Sequence, residues 1–347
     1  MIHFFPTFSK DARNSPFANS LKKVGVAHEI FPGKVSLRYP SRLGLLFFGW
    51  PKIFWFALVS AFRSLVLARP HPETVVVGSH IEAIVFAIFR FVLFRNNLTI
   101  VLLGFILTNR ESAWLNHLRF VYFRLVFQTV DKVICHSSLE QIRYSNLFKK
   151  SHAIFIFIPY GLHINGRNNR DDFVNSKSIS HPYILTAGRS GRDYATLLTA
   201  IEPLEIQLHV VCDNEKTLAN LPHSQRVTVL KSCYDKEYVN ELRNALFVVI
   251  PLGVNDISAG QMVLIQAMAF AKPTIVTRTA TIEEYVSDGV QSLLVAQGDV
   301  IGLRKSIKTL LSDKKLADHL STNALTSFEN RFCMQAYVQN LVKCIAT

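Results

Sequence analysis

The stretch LFVVIPLGVNDISAGQMVLIQAMAFAKPTIVT, residues 246–277, contains the pattern strand–helix–strand. The runs LFVVIP (246–251) and PTIVT (273–277) are short and rich in β-branched residues, and the apolar segment 258–271 between them has the length of a helix. Strands joined through a helix are parallel, and strands that are apolar throughout are buried on both faces of the sheet. This stretch therefore predicts a doubly wound α/β domain.

The same alternation extends along the chain in both directions. In the second half, further strands are predicted at YILTA (183–187), QLHVV (207–211), RVTVL (226–230) and SLLVA (292–296). In the first half, they are predicted at TVVVGS (74–79), LTIVLLG (98–104), DKVICHS (131–137) and AIFIFIPYG (153–161). A polar linker, residues 163–182, separates the two sets. The sequence thus predicts two Rossmann-like doubly wound domains, 1–165 and 166–325, followed by a C-terminal helix, 326–347.

Charge and aromatic residues are divided unequally between the halves. Residues 1–170 hold 21 Lys and Arg against 7 Asp and Glu, whereas residues 171–347 hold 17 against 18. The first half also holds 28 of the 39 aromatic residues. We therefore expect the first domain alone to meet a partner that is anionic and apolar, such as an anionic membrane surface.

The most hydrophobic segment is residues 43–68, LGLLFFGWPKIFWFALVSAFRSLVLA. Lys52 and Arg63 interrupt it, so no charge-free run of about 20 residues is present to span a bilayer. An interfacial helix with Trp50, Trp55 and flanking basic residues is one interpretation. A pair of core helices in the first domain is the other, and the sequence does not separate them.

The first candidate for chemistry is the loop in TAGRSGRDYATLLTAI, residues 186–201. It follows the end of a predicted strand, where ligands bind in open α/β sheets. Arg189 and Arg192, together with Gly188 and Gly191, suit an anion such as a diphosphate. The alternative is a solvated turn with surface arginines. The chain has neither a G-x-G-x-x-G fingerprint nor a P-loop, which argues against a dinucleotide site.

The second candidate is the loop LGVNDISAG, residues 252–260, and the helix after it. Ser258 and Gln261 have the spacing of a capping box. Gly260 would let an anion approach the free N–H groups of the first helical turn. The amide of Gln266, deeper in the helix, would then face a ligand hydroxyl, although a buried glutamine bonded to a neighbouring loop is the commoner case.

Three segments resemble the donor-binding half of glycosyltransferase family 4 enzymes. They are YILTAGRSGRDYATLLTAI, VTVLKSCYDKEYVNELRNALFVVIPL and SAGQMVLIQAMAFAKPTIVTRTATIEEYVSDGVQSLLVAQGD, within residues 130–325. The first 130 residues resemble the family only in architecture. The resemblance implies the GT-B fold, in which two Rossmann-like domains face each other across a cleft, and it implies a hexosyltransferase that retains the anomeric configuration.

The resemblance also assigns roles to residues of the donor side. Arg189 and Arg192 match the basic pair that holds the donor diphosphate. Two family glutamates spaced eight apart fall on Ser258 and Gln266, so neither carboxylate is present. Gln266 is expected to bond a ribose hydroxyl, and Asp256 is expected to supply negative charge near the sugar.

The remaining donor contacts come from the same loops. Gly188 directly follows the strand YILTA (183–187), and Tyr234 matches a position that flanks the nucleobase. Ala259, Gly260 and Gln261 offer backbone N–H groups. Because Asp256 is isolated and no cluster of carboxylates accompanies it, we expect transfer without a metal or other cofactor.

The acceptor side offers weaker candidates at predicted strand ends. These are His80, Glu82, the loop Thr108–Glu111, and His136. His80 is the expected catalytic residue in this domain, although a single histidine is more often structural.

The sequence thus predicts transfer of a sugar from a nucleotide-diphosphate donor to a membrane-associated glycan, expected to be lipid-linked, in polysaccharide or glycolipid biosynthesis. Five cysteines without a C-x-x-C pair, and no signal peptide, place it in the cytoplasm, peripheral on the inner face of the membrane. The alternatives are a non-catalytic basic protein that binds membrane or nucleic acid, and another nucleotide-sugar-modifying enzyme. Basic residues flank apolar runs here, as in LRFVYFRLVF (118–127), which disfavours nucleic acid.

Overall fold

The chain forms two compact units. The computed structural model describes residues 1–6, 11–33, 49–105, 107, 112–150, 153–163, 182–218, 225–253 and 259–346. The first unit comprises Met1–Pro159 and Tyr337–Thr347, and the second comprises Tyr160–Ala336. The sequence-based boundary between residues 165 and 166 falls outside the described residues.

The first unit is built on a parallel sheet in the order β2-β1-β3-β4-β5-β6, counted over the described residues. Its strands are β1 (Ile2–Phe5), β2 (His28–Ile30), β3 (Thr74–Val77), β4 (Thr99–Leu103), β5 (Lys132–Cys135) and β6 (Phe155–Phe157). The last four coincide with strands expected from the sequence, whereas β1 and β2 are additional. β2 has only three residues, too few for a recognisable period-2 pattern.

Helices connect these strands and cover the sheet. They are α1 (Pro16–Val24), α2 (Trp50–Phe62), α3 (His80–Val92), α4 (Ala113–Thr129) and α5 (Ser138–Phe148), with a 3₁₀ turn at Ala12–Asn14 and a π turn at Arg63–Leu67. The inner faces of α2, α3, α4 and α5 share one hydrophobic core with the strands. These four helices therefore lie on one face of the sheet.

The apolar segment 43–68 is described from residue 49 onward. The run Trp50–Leu67 is the one helical run in the described part of the chain that is long and apolar enough to cross a membrane, judged by length and composition alone. Ala57 and Ala61 are fully buried in the core, whereas Trp55 is 68% exposed. Core packing, one of the two interpretations, is thus confirmed for the inner face. Membrane contact by the outer face stays a prediction.

The second unit has the expected doubly wound architecture. Its sheet is parallel in the order β12-β11-β10-β7-β8-β9 over the described residues. The strands are β7 (Tyr183–Ala187), β8 (Gln207–Val211), β9 (Val227–Leu230), β10 (Val248–Ile250), β11 (Thr274–Thr277) and β12 (Leu293–Val295). Two hydrophobic clusters fill the space on its two faces. Each strand lies within the run predicted from sequence, because these runs are rich in apolar and β-branched residues and bounded by turn residues.

The helices of the second unit are α6 (Tyr194–Ile201), α7 (Glu215–Leu218), α8 (Asp235–Asn244), α9 (Gln261–Ala269), α10 (Ala280–Glu283), α11 (Val300–Ser312) and α12 (Lys314–Ser327). A π turn at Phe328–Phe332 follows, and the final helix is α13 (Met334–Ala346). The segment 326–347, expected as one helix, is therefore divided. α13 packs in the first unit, where Lys132 donates from Nζ to the carbonyl oxygen of Cys344 at 2.5 Å.

Serine side chains cap α3 and α5. At α3, Ser79 Oγ accepts from the N–H of Glu82, and the Glu82 carboxylate accepts from the N–H of Ser79, which is a capping box. At α5 the N-cap is Ser137, whose Oγ accepts from the N–H of Leu139 at 3.1 Å. Gln141 of α5 donates its amide to the Phe155 carbonyl at 2.6 Å.

The capping box expected from Ser258 and Gln261 at α9 is wrong. The helix begins at Gln261, and its N-cap is Gly260 with φ +91°. Gln261 is then the first helical residue, whereas a capping box places its glutamine at the third. A cap residue in the left-handed conformation is usually glycine, which has no side chain. The glycine itself is therefore the sole signal of such a cap in a sequence.

Candidate functional site

Two loops lie side by side at the carboxyl edge of the second sheet, after β7 and β10. The N–H of Asp193 donates to the carbonyl of Pro251 at 3.1 Å, and the N–H of Gly253 donates to that of Gly191 at 3.0 Å. Arg192 and Leu252 form an antiparallel bridge between them. β7 and β10 are neighbours at the centre of the sheet, which brings both predicted donor loops together.

Arg192 is held by its own loop. Its Nε donates to the Ala187 carbonyl at 2.8 Å, and its Nη1 donates to the Ser190 carbonyl at 2.9 Å. Burial lowers the pKa of this guanidinium, which is only partly exposed. Gly188 has φ +113°, and a Cβ there would overlap the guanidinium of Arg192. The alternative of a solvated turn with surface arginines is wrong for Arg192, which is a partly buried cation held by two carbonyl groups, and Gly188 makes space for it.

Arg189 has the opposite setting. Its side chain is 68% exposed, and Nη1 lies 3.9 Å from Oδ1 of Asp213. Asp213 also accepts a hydrogen bond from the hydroxyl of Tyr234, and this bond lowers the pKa of the carboxyl group. These three residues follow β7, β8 and β9 respectively, so they line one edge of the sheet.

Asp213 is a site residue that sequence reasoning missed. The stretch QLHVVCD contains the only available signal, an acid placed directly after a buried strand. Tyr234 lies in the expected loop, is 56% exposed and is the N-cap residue of α8. Its ring is therefore accessible to a ligand at the edge.

At the start of α9 the N-cap is a glycine, and no side chain among the described residues caps the helix. A Cβ on Gly260 would lie 3.2 to 3.3 Å from side-chain carbons of Leu252 and Ile250. Glycine is thus required here by φ and by close packing, a structural reason beside the expected approach of a ligand. Ala259, just before it, is partly buried.

Two glutamines of α9 have side-chain amides without a hydrogen-bond partner among the described residues. Gln261 is 3% exposed, and its Nε2 is buried with no hydrogen-bond partner among the described residues. Gln266 is partly buried, and no hydrogen bond of its amide is found within the same residues. A buried amide without a partner costs about 1–3 kcal/mol. Asp256 and Ser258, the other predicted donor residues of this loop, lie outside the described residues.

In the first unit, His80 is the first residue of α3, at the carboxyl edge of the sheet. Its Nδ1 lies 2.7 Å from the hydroxyl of Tyr122, and the rings of Trp50 and Phe123 flank it. Burial, followed by the positive charge of Arg119, lowers the pKa of His80 to about 4. The imidazole is therefore neutral near pH 7.

The other acceptor-side candidates are structural where they are described. Glu82 is fully buried and accepts from the N–H groups of Gly78 and Ser79 at the start of α3. His136 is 7% exposed, with Nδ1 2.9 Å from the Ile158 carbonyl. Thr108–Glu111 lies outside the described residues.

No group of three His, Cys, Asp or Glu side chains with metal-binding geometry occurs in the portion of the chain that the structure describes. The charged groups at the second unit's edge include Arg189, Arg192 and Asp213. An edge of this kind can hold an anion through two guanidinium groups and a helix start.

Comparisons with known proteins bear on this edge directly. The family model for Glycosyl transferases group 1 matches residues 181–313, which include both loops. This match supports a group 1 glycosyltransferase domain in the second half of the chain. The resemblance found in the sequence is thus confirmed to the level of a GT-B group 1 glycosyltransferase, and family 4 specifically stays a prediction.

An uncharacterized glycosyltransferase of Methanocaldococcus jannaschii is 24% identical over 228 residues. The match covers 64% of this chain and 61% of that protein, about three fifths of the relative's length.

Solved structures support the same fold for this chain. HepE of Anabaena, crystallised with UDP-glucose, matches with a TM-score of 0.68 at 16% identity, covering 99% of each chain. Sucrose-phosphate synthase of Thermosynechococcus elongatus matches with a TM-score of 0.72 at 18% identity, covering 99% of this chain and 98% of the other. The predicted fold class, two doubly wound α/β domains of the GT-B type, is confirmed.

Proposed function

We propose that this protein transfers a sugar from a nucleotide-diphosphate donor to a membrane-associated, lipid-linked glycan. The observation that carries the proposal is the pair of hydrogen-bonded loops after β7 and β10, which brings Arg192 beside the loop that leads to the uncapped start of α9. A diphosphate needs several donors that converge from fixed positions, and this edge offers them.

The two arginines bind the diphosphate in different ways. Arg192 is fixed by two backbone carbonyls, so its remaining N–H groups are oriented before the ligand arrives. Arg189 is exposed, and its 3.9 Å contact with Asp213 is loose enough to exchange for phosphate. Tyr234 and Asp213 then face the nucleoside, with the tyrosine ring against the base and the carboxylate toward ribose hydroxyls.

The chemical step breaks the bond between the anomeric carbon and the diphosphate oxygen. The electron pair leaves on the diphosphate, and the acceptor hydroxyl forms the new bond and loses its proton. The charge on the departing diphosphate is met by Arg189, Arg192 and the N–H groups of α9, without a metal. We propose retention of the anomeric configuration, as in the family that the sequence resembles. His80, at a strand end of the first unit, is the acceptor-side residue to which we assign a catalytic role.

The acceptor and the location follow from the first unit. It carries most of the chain's excess positive charge and exposes many apolar side chains, which suits an acceptor at an anionic membrane. The five cysteines are free thiols, in keeping with a cytoplasmic protein on the inner face of a membrane and a pathway of polysaccharide or glycolipid synthesis.

Calorimetric titration of the full chain with UDP, GDP, ADP and UDP-glucose tests the donor site. HepE was crystallised with UDP-glucose, so uridine nucleotides are the first probes. We expect Arg189→Ala and Arg192→Ala each to weaken nucleotide-diphosphate binding about tenfold. Arg304→Ala is the matched control, because Arg304 also donates to two backbone carbonyls, those of Thr199 and Ala200. Binding that is unchanged in both loop variants, or absent for every nucleotide, contradicts the proposal.

A further inference from the structure

Three neighbouring helices of the first unit are apolar on both faces. Their inner sides lie in the core, and their outer sides expose large apolar residues. We call this outer surface the apolar face; its most prominent members are Trp55, Phe62, Phe91, Phe94, Trp114 and Leu125. Phe91 is 80% exposed and Phe94 is 85% exposed. Helices that are apolar all round are normally enclosed by protein or lipid.

The exposed side chains form stripes rather than isolated points. On α4 they recur at residues 114, 118, 121 and 125, a spacing of three and four that keeps them on one side of the helix. On α2 they recur at residues 55, 59 and 62 in the same way. α3 packs against both α2 and α4, so the stripes lie beside one another on one surface.

Charge identifies the kind of partner. α2, α3 and α4 contain a single carboxylate, Glu82, and it is fully buried in the helix cap. Lys52 on α2, Arg63 at the C-terminal end of α2 and Arg124 on α4 are exposed cations. A second copy of the chain would set cations against cations across a symmetric contact. An anionic lipid surface instead accepts apolar side chains between its acyl chains and pairs its headgroups with lysine and arginine.

The buried side of the run Trp50–Leu67 determines how this helix could contact lipid. Ile53, Ala57, Ala61 and Leu65 of the run Trp50–Leu67 are buried against the sheet. A helix with one side in a protein core cannot cross a bilayer while that core stays folded. It can lie along the surface with its other side, including Trp55, in the headgroup region.

We propose that the apolar face of α2, α3 and α4 is a membrane-docking surface that lies on anionic lipid without spanning it. The inference rests on the proposed membrane-associated acceptor and assigns that function to named residues.

Co-sedimentation of the full chain with phosphatidylcholine vesicles, with and without phosphatidylglycerol, tests this surface. We expect the double variant Trp55→Ser with Phe91→Ser to lose about tenfold or more in partitioning, because two large exposed side chains no longer enter the bilayer. Ile301→Ser is the control, since Ile301 is 78% exposed on α11 of the second unit. Arg63→Glu with Arg124→Glu should remove the preference for phosphatidylglycerol, and exposed Lys308→Glu should not.

Each outcome bears on a separate claim. Unchanged partitioning of the double variant overturns the docking surface, as does a monomer–dimer shift in sedimentation that the same variant abolishes without vesicles. UDP binding is measured on every variant and should stay at the unmutated value. Vesicle docking without nucleotide binding would refute the donor proposal alone, and nucleotide binding without docking would refute this inference alone.

Discussion

The two units share one architecture but treat the carboxyl edges of their sheets in opposite ways. In the second unit, Arg189, Asp213 and Tyr234 remain accessible at that edge. In the first unit, Glu82 and His136 are buried and bonded to backbone groups. Conversely, 18 of the 25 large apolar side chains exposed among the described residues belong to the first unit. A common fold thus carries a polar ligand edge in one copy and an apolar outer surface in the other.

The largest effect is expected at the second unit's edge. Arg192→Ala should lower turnover by about a hundredfold or more, since one charge-assisted contact to the leaving diphosphate is worth on the order of 2–4 kcal/mol. Steady-state kinetics beside Arg304→Ala measures it. Excess chelator should leave the unmutated enzyme active. Abolition by chelator with rescue by magnesium or manganese would show that a metal meets the leaving group.

The matching change in the first unit should affect folding instead. Glu82→Ala removes a fully buried carboxylate that caps α3, so the free energy of unfolding should fall by about 2–3 kcal/mol. Chemical denaturation measures this, and titration with nucleotide should give the unmutated affinity. If Glu82→Gln keeps the stability yet loses turnover, the edge of the first unit is catalytic and the contrast between the units fails.

Acid should destabilise the first unit through His3. The residue is fully buried, and burial, then the N-terminus and His71, lower its folded pKa to about 4 from 6.5. Between these values the unfolded chain binds a proton that the folded chain does not. Stability is therefore complete above pH 6.5 and decreases toward pH 4, by about 3 kcal/mol for this residue.

Denaturation at pH 7 and pH 4.5 measures the acid effect. His3→Asn should flatten the dependence, although it also changes the 2.8 Å contact of Nδ1 with Ser64 Oγ. An equal pH slope in the variant and the unmutated chain would assign the acid sensitivity to other groups.

The smallest effect is expected at Gln266. Gln266→Leu should weaken donor binding about fivefold, the loss of a hydrogen bond worth about 1 kcal/mol, with little change in melting temperature. Calorimetry and thermal unfolding on the same samples separate the two. A lower melting temperature with normal donor affinity would make Gln266 part of the core only.

Sequence predicted the second unit better than the first for a physical reason. Strands such as β7 and β10 are buried on both faces, so they appear as apolar runs bounded by turn residues. β1 has four residues and β2 has three, so neither is long enough for a readable pattern. The apolar run of α2 left two interpretations open because its two faces are both apolar and only the fold decides which one is buried.

Site residues were predictable where the chain places them by strand order. Arg189 and Arg192 follow β7, and their meeting with the β10 loop follows from the parallel sheet. Which arginine is fixed and which is exposed was not predictable, since it depends on carbonyls at Ala187 and Ser190 that any residue could supply. Gly260 was assigned to ligand approach, whereas φ and the contact with Leu252 already require glycine.

The return of α13 to the first unit has a consequence for how the protein is made. The residues that complete this unit, from Tyr337 onward, are synthesised only after the whole of Tyr160–Ala336. Lys132 therefore cannot bond to Cys344 until the second unit has been translated. The second unit can close its sheet during translation, whereas the unit translated first is the last to acquire all its contacts.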